Sequence, residues 1–383
     1  MNLDHIPDGI LIGRAWLPGF DHPRIVTVRD RQLVDITARG MATVRDVAES
    51  GRAADHVRNA AGRAVGEIGV VLDNAASGNV REDLPRLLAP IDLQAIKAAG
   101  VTFVVSLLER VIEEQARGDK SRADALRSEI LDLIGTDLSQ LVPGSEAAMK
   151  VKAALIEKGV WSQYLEVGIG PDAEVFTKGQ PMSAVGYGAE VGLHPMSTWN
   201  NPEPEVALLV TSKGEIVGAM LGNDVNLRDV EGRSALLLGK AKDNNASASL
   251  GPFVRLFDDN FTLETVKSAE IALRVEGEDG FVLEGHSNMA EISRSPESLV
   301  SATIGQHHQY PDGLVLYLGT MFAPVKDRDG AGKGFTHRIG DRVSISTKAL
   351  GTLTNKVNLS TKCPPWTYGT SHLLRDLARA NLL

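Results

Sequence analysis

The chain is poor in cysteine and in long apolar runs, and its start does not resemble a leader sequence. Its single cysteine, Cys363, cannot form an intrachain disulfide, which is typical of a reducing compartment. No apolar run reaches the roughly 18 residues of a membrane-spanning helix. The opening stretch "MNLDHIPDGILIGRAW" has two acidic residues and no basic one before Arg14, unlike a signal peptide. We therefore expect a cytoplasmic protein with no membrane partner.

An excess of basic residues is also missing. The chain has 40 Lys and Arg against 49 Asp and Glu, a formal charge of -9. This balance argues against a nucleic-acid partner, because sequence-independent binding to nucleic acid needs a basic surface. With 383 residues, of which 43% are hydrophobic, the chain is long enough for a large core and two domains.

Hydrophobic patterning divides the chain into three zones. Residues 1–90 contain short strand-like pieces and predict a small N-terminal domain. Residues 91–165, including "LQAIKAAG", carry apolar residues at three- and four-residue spacing, which predicts a helical segment. Residues 166–383 contain short β-branched runs separated by glycine and proline, which predict a β-rich domain. The fold class expected from these patterns is α+β.

The stretch "EVALLVTSKGEIVGAMLG" predicts a β-hairpin. Two apolar strands flank Lys213-Gly214, and a two-residue loop that ends in glycine suits a tight turn. In that register Ser212 pairs with Glu215, and the numbers of paired residues sum to 427.

Three carboxylates then converge at the far end of the hairpin. The register places Glu203 opposite Asp224, and Glu205 points to the same face as Glu203 because side chains alternate along a strand. Like charges this close repel unless a positive charge lies between them, and a hard divalent cation such as Mg²⁺ fits oxygen ligands. A solvated hairpin end with its acids facing water is the alternative, and a one-residue slip would break the convergence.

The same segment resembles the fumarylacetoacetate hydrolase family. The stretches "EPEVALLV", "GNDVNLRD", "GK" and "LGP" follow the family's order of an E-x-E, a hairpin, an N-D-x-S-A-R-D, a G-K and a G-P. "EVFTKGQPMSAVGYG", "YPDGLVLYLGTMFAP" and "HRIGDRVSISTKALGTLTNKV" resemble further family segments. The similarity covers about 100–110 and 170–360.

The resemblance implies a mixed β-roll catalytic domain, preceded by a smaller α/β N-terminal domain with a helical insertion. It implies Mg²⁺, or Mn²⁺, held by Glu203, Glu205 and Asp224. It also implies a homo-oligomer, either a dimer or a dimer of dimers.

Position by position, the resemblance assigns further roles. Lys240 in "LLLGKAKD" matches the lysine that reaches the active site; without the motif it would be a surface lysine. Thr320 matches the threonine that holds the substrate carboxylate; without the motif it would be a strand hydroxyl. Arg228 matches the family arginine, and a structural ion pair with Asp229 or Glu231 is an equally good interpretation.

One departure from the family pattern bears on the reaction. Hydrolytic members carry N-Y-x-x-H-x-x-E, and the matching stretch here is "TFVVSLLE". Glu109 remains, but Ser106 stands in place of histidine, and serine cannot accept a proton near neutral pH. The pair that would activate water is therefore broken.

A dehydratase of 2-keto-3-deoxy sugar acids needs no hydrolytic water, so this branch of the family fits best. A base would remove the C3 proton of a 2-keto-3-deoxypentonate, and loss of the C4 hydroxyl would give 2-oxoglutarate semialdehyde. Glu174 or Lys240 is the candidate base, and Lys178 and Ser247 are candidate substrate contacts. The alternatives are a hydrolase of acylpyruvates or 2,4-diketo acids, and a catalytically silent binding protein.

Overall fold

The computed structural model describes residues 6–100, 102–103, 107, 141–157, 159, 161–322, 324, 326–330 and 334–383. The strands are β1 Leu11–Trp16, β2 Arg24–Arg29, β3 Gln32–Asp35, β4 Arg63–Glu67, β5 Arg86–Leu88, β6 Ala95–Ala99, β7 Val175–Gly179, β8 Glu190–Leu193, β9 Pro204–Val210, β10 Ile216–Asp224, β11 Ala248–Leu256, β12 Glu270–Glu276, β13 Val282–Asn288, β14 Leu314–Tyr317, β15 Arg342–Thr347 and β16 Gly351–Leu359. The helices are α1 Val44–Glu49, α2 Ala53–Asn59, α3 Ile68–Ala76, α4 Glu146–Glu157, α5 Gln163–Ile169, α6 Arg228–Glu231, α7 Leu238–Lys242, α8 Leu263–Lys267, α9 Pro296–Thr303 and α10 Thr370–Arg379. The mixture of open sheets and short helices confirms the expected α+β class.

Two sheets organise these elements. The larger has the strand order β4-β3-β2-β1-β11-β10-β9-β14-β6-β7, with β5 paired to β1. The smaller has the order β13-β12-β15-β16-β8. Because β1 pairs with β11, the N-terminal strands continue the sheet that carries the hairpin. The division at residues 90 and 165 stays a prediction.

The larger sheet buries both of its faces. One face packs on the smaller sheet through a core that includes Leu208 and Leu221 from the hairpin and Ile345 from β15. The other face packs on α1 and α2 through a second core that includes Leu209 and Val47. Strands buried on both faces read as continuous apolar runs, which explains the sequence of β9.

The hairpin has the predicted register, reached by a different route. Gly218 pairs with Leu209, and pairs up to Asn223 with Pro204 keep the predicted sum of 427. The turn, however, has three residues between Thr211 and Glu215, with Gly214 at φ +82. The pairing shifts by one residue between Ile216 and Gly218, so a bulge restores the register that the longer loop would have lost.

The helical interpretation of "LQAIKAAG" is wrong. Residues Ala95–Ala99 form β6, parallel to β14 and antiparallel to β7. A short apolar run has the same pattern in a buried strand and in a buried helix, and here pairing with the neighbouring strands decides the structure.

No helix among the described residues is both long enough and apolar enough to cross a membrane.

Candidate metal and substrate site

The hairpin end brings the three predicted carboxylates together. Glu203, Glu205 and Asp224 each offer an oxygen within 4.8 Å of the others. All three side chains are buried, at 1–2% exposure. The backbone N–H of Asp224 donates to the carbonyl of Glu203 at 3.0 Å, so the strand pairing itself fixes their approach. The predicted convergence is confirmed as geometry.

The lysine of α7 that reaches this cluster is Lys242, not the predicted Lys240. The buried Nζ of Lys242 bonds Glu203 Oε2, and it donates to Asp224 Oδ2 at 3.1 Å. Lys240 is exposed on the same short helix, α7. Residues two apart on an α-helix point about 200° away from each other, so only one of the two can face the cluster. The G-K motif therefore located the helix but gave the wrong lysine.

Lys178 lies on the other side of Asp224. Its Nζ is 2.7 Å from Asp224 Oδ1, and it donates to the carbonyls of Val225 at 3.1 Å and Lys242 at 2.5 Å. Two of the three ammonium donors thus serve carbonyl oxygens, and the contact with Asp224 Oδ1 is an ion pair. Lys178 therefore anchors Asp224, and its predicted contact with a substrate stays a prediction. Complete burial lowers the pKa of Lys178, while Asp224 acts in the opposite direction.

Lys178 is also the extra residue of a bulge. The pairing of β6 with β7 shifts between Ile96 and Lys97, which face Gly179 and Thr177. Bulges commonly re-aim side chains next to active sites, and here the bulged residue is the one that contacts the carboxylates.

Glu205 retains an oxygen for a ligand. Its Oε2 accepts the backbone N–H of Gly319 at 2.7 Å, whereas its buried Oε1 has no hydrogen-bond partner among the described residues. Burial raises the pKa of Glu205 well above its ordinary value, and the charges of Asp224 and Glu203 raise it further. A buried oxygen with no donor beside two more carboxylates suits a hard divalent cation.

Thr320 follows Gly319 directly. It is 4% exposed, and its Oγ1 donates to the carbonyl of Phe322 at 3.2 Å. The residue therefore sits one position from the N–H that binds Glu205. Its contact with a substrate carboxylate stays a prediction.

Glu174 lies beside β7, the edge strand of the larger sheet. It directly precedes β7, and its backbone carbonyl accepts the N–H of Gly100. Phe176, two residues on, faces Lys242, whose Nζ is 5.6 Å from the ring centroid. Alternation along the strand would put Glu174 on the face of Phe176, and its role as the base stays a prediction.

The Ser247 hydroxyl forms hydrogen bonds with the backbone at the end of α7. It donates to the carbonyl of Lys242 at 2.8 Å and accepts the N–H of Asn244 at 3.0 Å. These two bonds hold the end of α7, so Ser247 positions Lys242, and its contact with a substrate stays a prediction.

Arg228 stacks on an aromatic ring. Its guanidinium carbon lies 4.3 Å from the centroid of Trp199. Asp229, one of its proposed ion-pair partners, accepts from the Ser197 hydroxyl at 2.7 Å and the Thr198 N–H at 2.8 Å. The role of Arg228 in substrate contact stays a prediction.

Two residues of the sequence-based prediction cannot be located. Glu109 and Ser106 fall outside the described residues, so the water-activating pair is not placed by the structure.

The sequence did not predict three contributors to the site. They are Lys242, the N–H of Gly319, and Asn226, whose Nδ2 donates to Glu203 Oε1 at 3.0 Å. The predicted pairing could have pointed to Asn226. Residues 201 and 226 also sum to 427, so the same register pairs them next to Glu203 and Asp224.

Two curated proteins are similar to the chain. One is a "Probable 2-keto-3-deoxyxylonate dehydratase" of Haloferax volcanii, 28% identical over 334 residues, which cover 87% of this chain and 95% of that protein. The other is a "2-dehydro-3-deoxy-D-arabinonate dehydratase" of Saccharolobus solfataricus, 30% identical over 184 residues, which cover 48% of this chain and 58% of that protein.

Solved structures share the fold. The apo form of a 2-keto-3-deoxy-D-arabinonate dehydratase superposes with a TM-score of 0.64 at 21% identity, covering 91% of this chain and 99% of that one. A complex of 2-keto-3-deoxy-D-arabinonate dehydratase with magnesium and 2,5-dioxopentanoate gives 0.63 at 20% identity, with the same coverage.

A family model covers the hairpin and nearly all of the smaller sheet. The fumarylacetoacetate hydrolase C-terminal model matches residues 154–358, more than half of the chain. The matched region contains the carboxylate triad, Lys178, Lys242 and Gly319. The chain therefore belongs to the fumarylacetoacetate hydrolase family.

Proposed function

We propose that the protein is a divalent-metal-dependent hydro-lyase that dehydrates a 2-keto-3-deoxypentonate to 2-oxoglutarate semialdehyde. The observation that carries the proposal is the buried triad of Glu203, Glu205 and Asp224 with Lys242 against two of its members. Both curated relatives have names of dehydratases for such sugar acids. The solved complex with magnesium and 2,5-dioxopentanoate supports the same class of reaction.

The three carboxylates would hold Mg²⁺, with Mn²⁺ as a substitute. The bound ion would supply positive charge beside the 2-keto oxygen, which stabilises developing negative charge and acidifies the C3 proton. Lys178 forms an ion pair with Asp224 and is itself held by two carbonyls, so it would keep that ligand in place throughout the reaction.

Proton transfer would fall to the chain's own side chains. We assign Lys242, in place of Lys240, and Glu174 as the pair from which the base comes. One would remove the C3 proton, and the other would protonate the leaving C4 hydroxyl, so that water departs and a C3–C4 double bond forms. This product is an enone that still carries the C5 hydroxyl. Loss of a C5 proton and protonation at C3 would move the double bond to C4–C5, and the enol formed there would convert to the 2-oxo aldehyde product.

A product assay tests the reaction class. Purified protein with Mg²⁺ would be incubated separately with a 2-keto-3-deoxypentonate and with an acylpyruvate, and the products would be identified by mass spectrometry. Loss of one water from the sugar acid, with the acylpyruvate intact, is the expected result. Cleavage of the acylpyruvate into pyruvate and a carboxylic acid would replace the proposal with the hydrolase alternative.

The cellular setting follows from the substrate. A 2-keto-3-deoxypentonate arises by dehydration of a pentonic acid, so the enzyme would act in non-phosphorylative pentose breakdown. A cytoplasmic location and a dimer or dimer of dimers remain our predictions for it.

A further inference from the structure

Asn226 connects a triad carboxylate to a second acid. Its Nδ2 donates to Glu203 Oε1 at 3.0 Å and to Glu231 Oε2 at 2.5 Å. Asn226 is 0% exposed. One amide group thus uses both of its N–H donors on two carboxylates.

The orientation of this amide is forced. Exchanging its oxygen and nitrogen would aim Oδ1 at two carboxylates, with acceptor facing acceptor. In the forced orientation Oδ1 is buried and has no hydrogen-bond partner in the part of the chain that the structure describes. Leaving an acceptor without a donor carries a cost, and the two charge-assisted bonds from Nδ2 offset it.

Its position in the ladder explains why Asn226 reaches Glu203. Asn201 and Asn226 exchange two backbone hydrogen bonds of 3.1 Å, so they form the next rung beyond Glu203 and Asp224. Side chains on neighbouring rungs of one face lie side by side. Asn201 shares this place and its burial, but its Nδ2 donates to the Pro202 carbonyl at 2.8 Å and not to a carboxylate.

Asn226 binds a different oxygen of the Glu203 carboxylate from the one that Lys242 binds. Lys242 bonds Oε2, and the backbone N–H of Glu203 donates to Asn223 Oδ1 at 3.3 Å. The remaining oxygen, Oε1, receives Asn226. A planar amide held at Glu231 on the other side cannot rotate, so it sets the rotation of the Glu203 carboxylate.

We propose that Asn226, anchored by Glu231, is a positioning residue of the metal site that fixes the Glu203 carboxylate in the orientation that binds the divalent ion. The inference rests on the proposed function. Groups that orient metal ligands through hydrogen bonds typically affect metal affinity by about 10- to 100-fold.

Metal affinity can be measured without turnover. Mn²⁺ would be titrated into metal-free full-length protein, and free Mn²⁺ would be followed by electron paramagnetic resonance with no substrate present. Asn226→Ala is expected to weaken binding by about 10- to 100-fold relative to the wild type. Asn201→Ala is the matched control, since it removes an equally buried amide from the same rung, and we expect its affinity to stay within about twofold of the wild type.

A second variant covers the case in which Asn226→Ala fails to fold, as judged by circular dichroism. Glu231→Ala leaves Asn226 in place but removes its anchor, and it should weaken Mn²⁺ binding several-fold. Unchanged affinity in either folded variant, or equal weakening in Asn201→Ala, would overturn the positioning role. Absence of Mn²⁺ binding in the wild type would instead count against the proposed function.

Discussion

At the residue scale, charge balance governs the site. Three buried carboxylates face two buried ammonium groups, which leaves one net negative charge when all five are ionised. Unpaired buried charges are costly, so Lys178 and Lys242 partly offset the repulsion within the triad. A divalent cation would change this sum to one net positive charge, which suits an anionic substrate, and Glu205 Oε1, which has no donor among the described residues, is free to bind it.

Replacing one lysine tests which residue does the chemistry. Lys242→Met should lower kcat/KM by about 10²–10⁴, the usual range for loss of a proton-transfer group. Lys240→Met should leave kcat/KM nearly unchanged, because Lys240 is exposed. Steady-state kinetics of both variants check this. Equal losses, or a loss confined to Lys240→Met, would restore the assignment made from the motif.

At the element scale, the hairpin shows how much could be predicted from the sequence. Its register, and thus the meeting of Glu203 with Asp224, was predicted correctly, although the predicted two-residue turn was wrong. The three-residue loop and the compensating bulge could not be predicted, since each depends on packing against neighbouring strands. The role of Lys242 could not be predicted either. The motif marks a helix of only five residues, and tertiary contacts decide which side of this helix faces the carboxylates.

The turn after β14 carries a further element-level requirement. Gly319 has φ +98, and a Cβ there would lie under 3.0 Å from both Thr102 Oγ1 and the Gly100 carbonyl oxygen. The same turn presents the N–H that binds Glu205. Only glycine meets the backbone angle and the close approach together.

Gly319→Ala should therefore lower both stability and metal affinity. Gly280→Ala is the control, since Gly280 has φ +81 but an added Cβ there would meet nothing within 4 Å. The control should lose only about 1 kcal/mol from the strained backbone. Urea unfolding and Mn²⁺ titration of both variants check this, and similar metal affinity in the two would contradict the role of the Gly319 turn.

At the scale of the whole molecule, a buried ionic network joins the smaller sheet to the hairpin end. Arg328 forms two contacts with Asp341, of 2.6 and 2.8 Å, and both side chains are 1% exposed. His337 Nδ1 lies 3.1 Å from the same carboxylate. Its backbone N–H donates to Asn200, which leads into the triad strand. Although burial opposes ionisation, hydrogen bonds from His337 and Arg328 lower the pKa of Asp341 to about 2.

Breaking this network should destabilise the protein strongly. Arg328→Met leaves the Asp341 carboxylate buried without its main partner, and removal of one member of a buried pair costs about 3–5 kcal/mol. Urea unfolding at neutral pH measures the loss. A change below about 1 kcal/mol would mean that the pair behaves like an exposed surface contact.

The same network predicts acid sensitivity. Burial lowers the pKa of His337, with Arg328 acting in the same direction and Asp341 against it. The folded pKa is below the unfolded value of about 6.5, so the stabilising contribution is complete above about pH 6.5 and is lost as the pH falls through the folded pKa. His337→Gln should therefore lose less unfolding free energy than the wild type between about pH 7.5 and pH 5. An identical loss in both would exclude His337 as the source.

The most direct test joins the triad to the reaction. The rate of water loss from a 2-keto-3-deoxypentonate would be measured against Mg²⁺ concentration, after chelator treatment, for the wild type and Glu205→Ala. We expect no turnover without metal, saturable recovery on adding Mg²⁺ in the wild type, and none in the variant. Metal-independent dehydration, or full recovery in Glu205→Ala, would contradict the claim that this triad carries the chemistry.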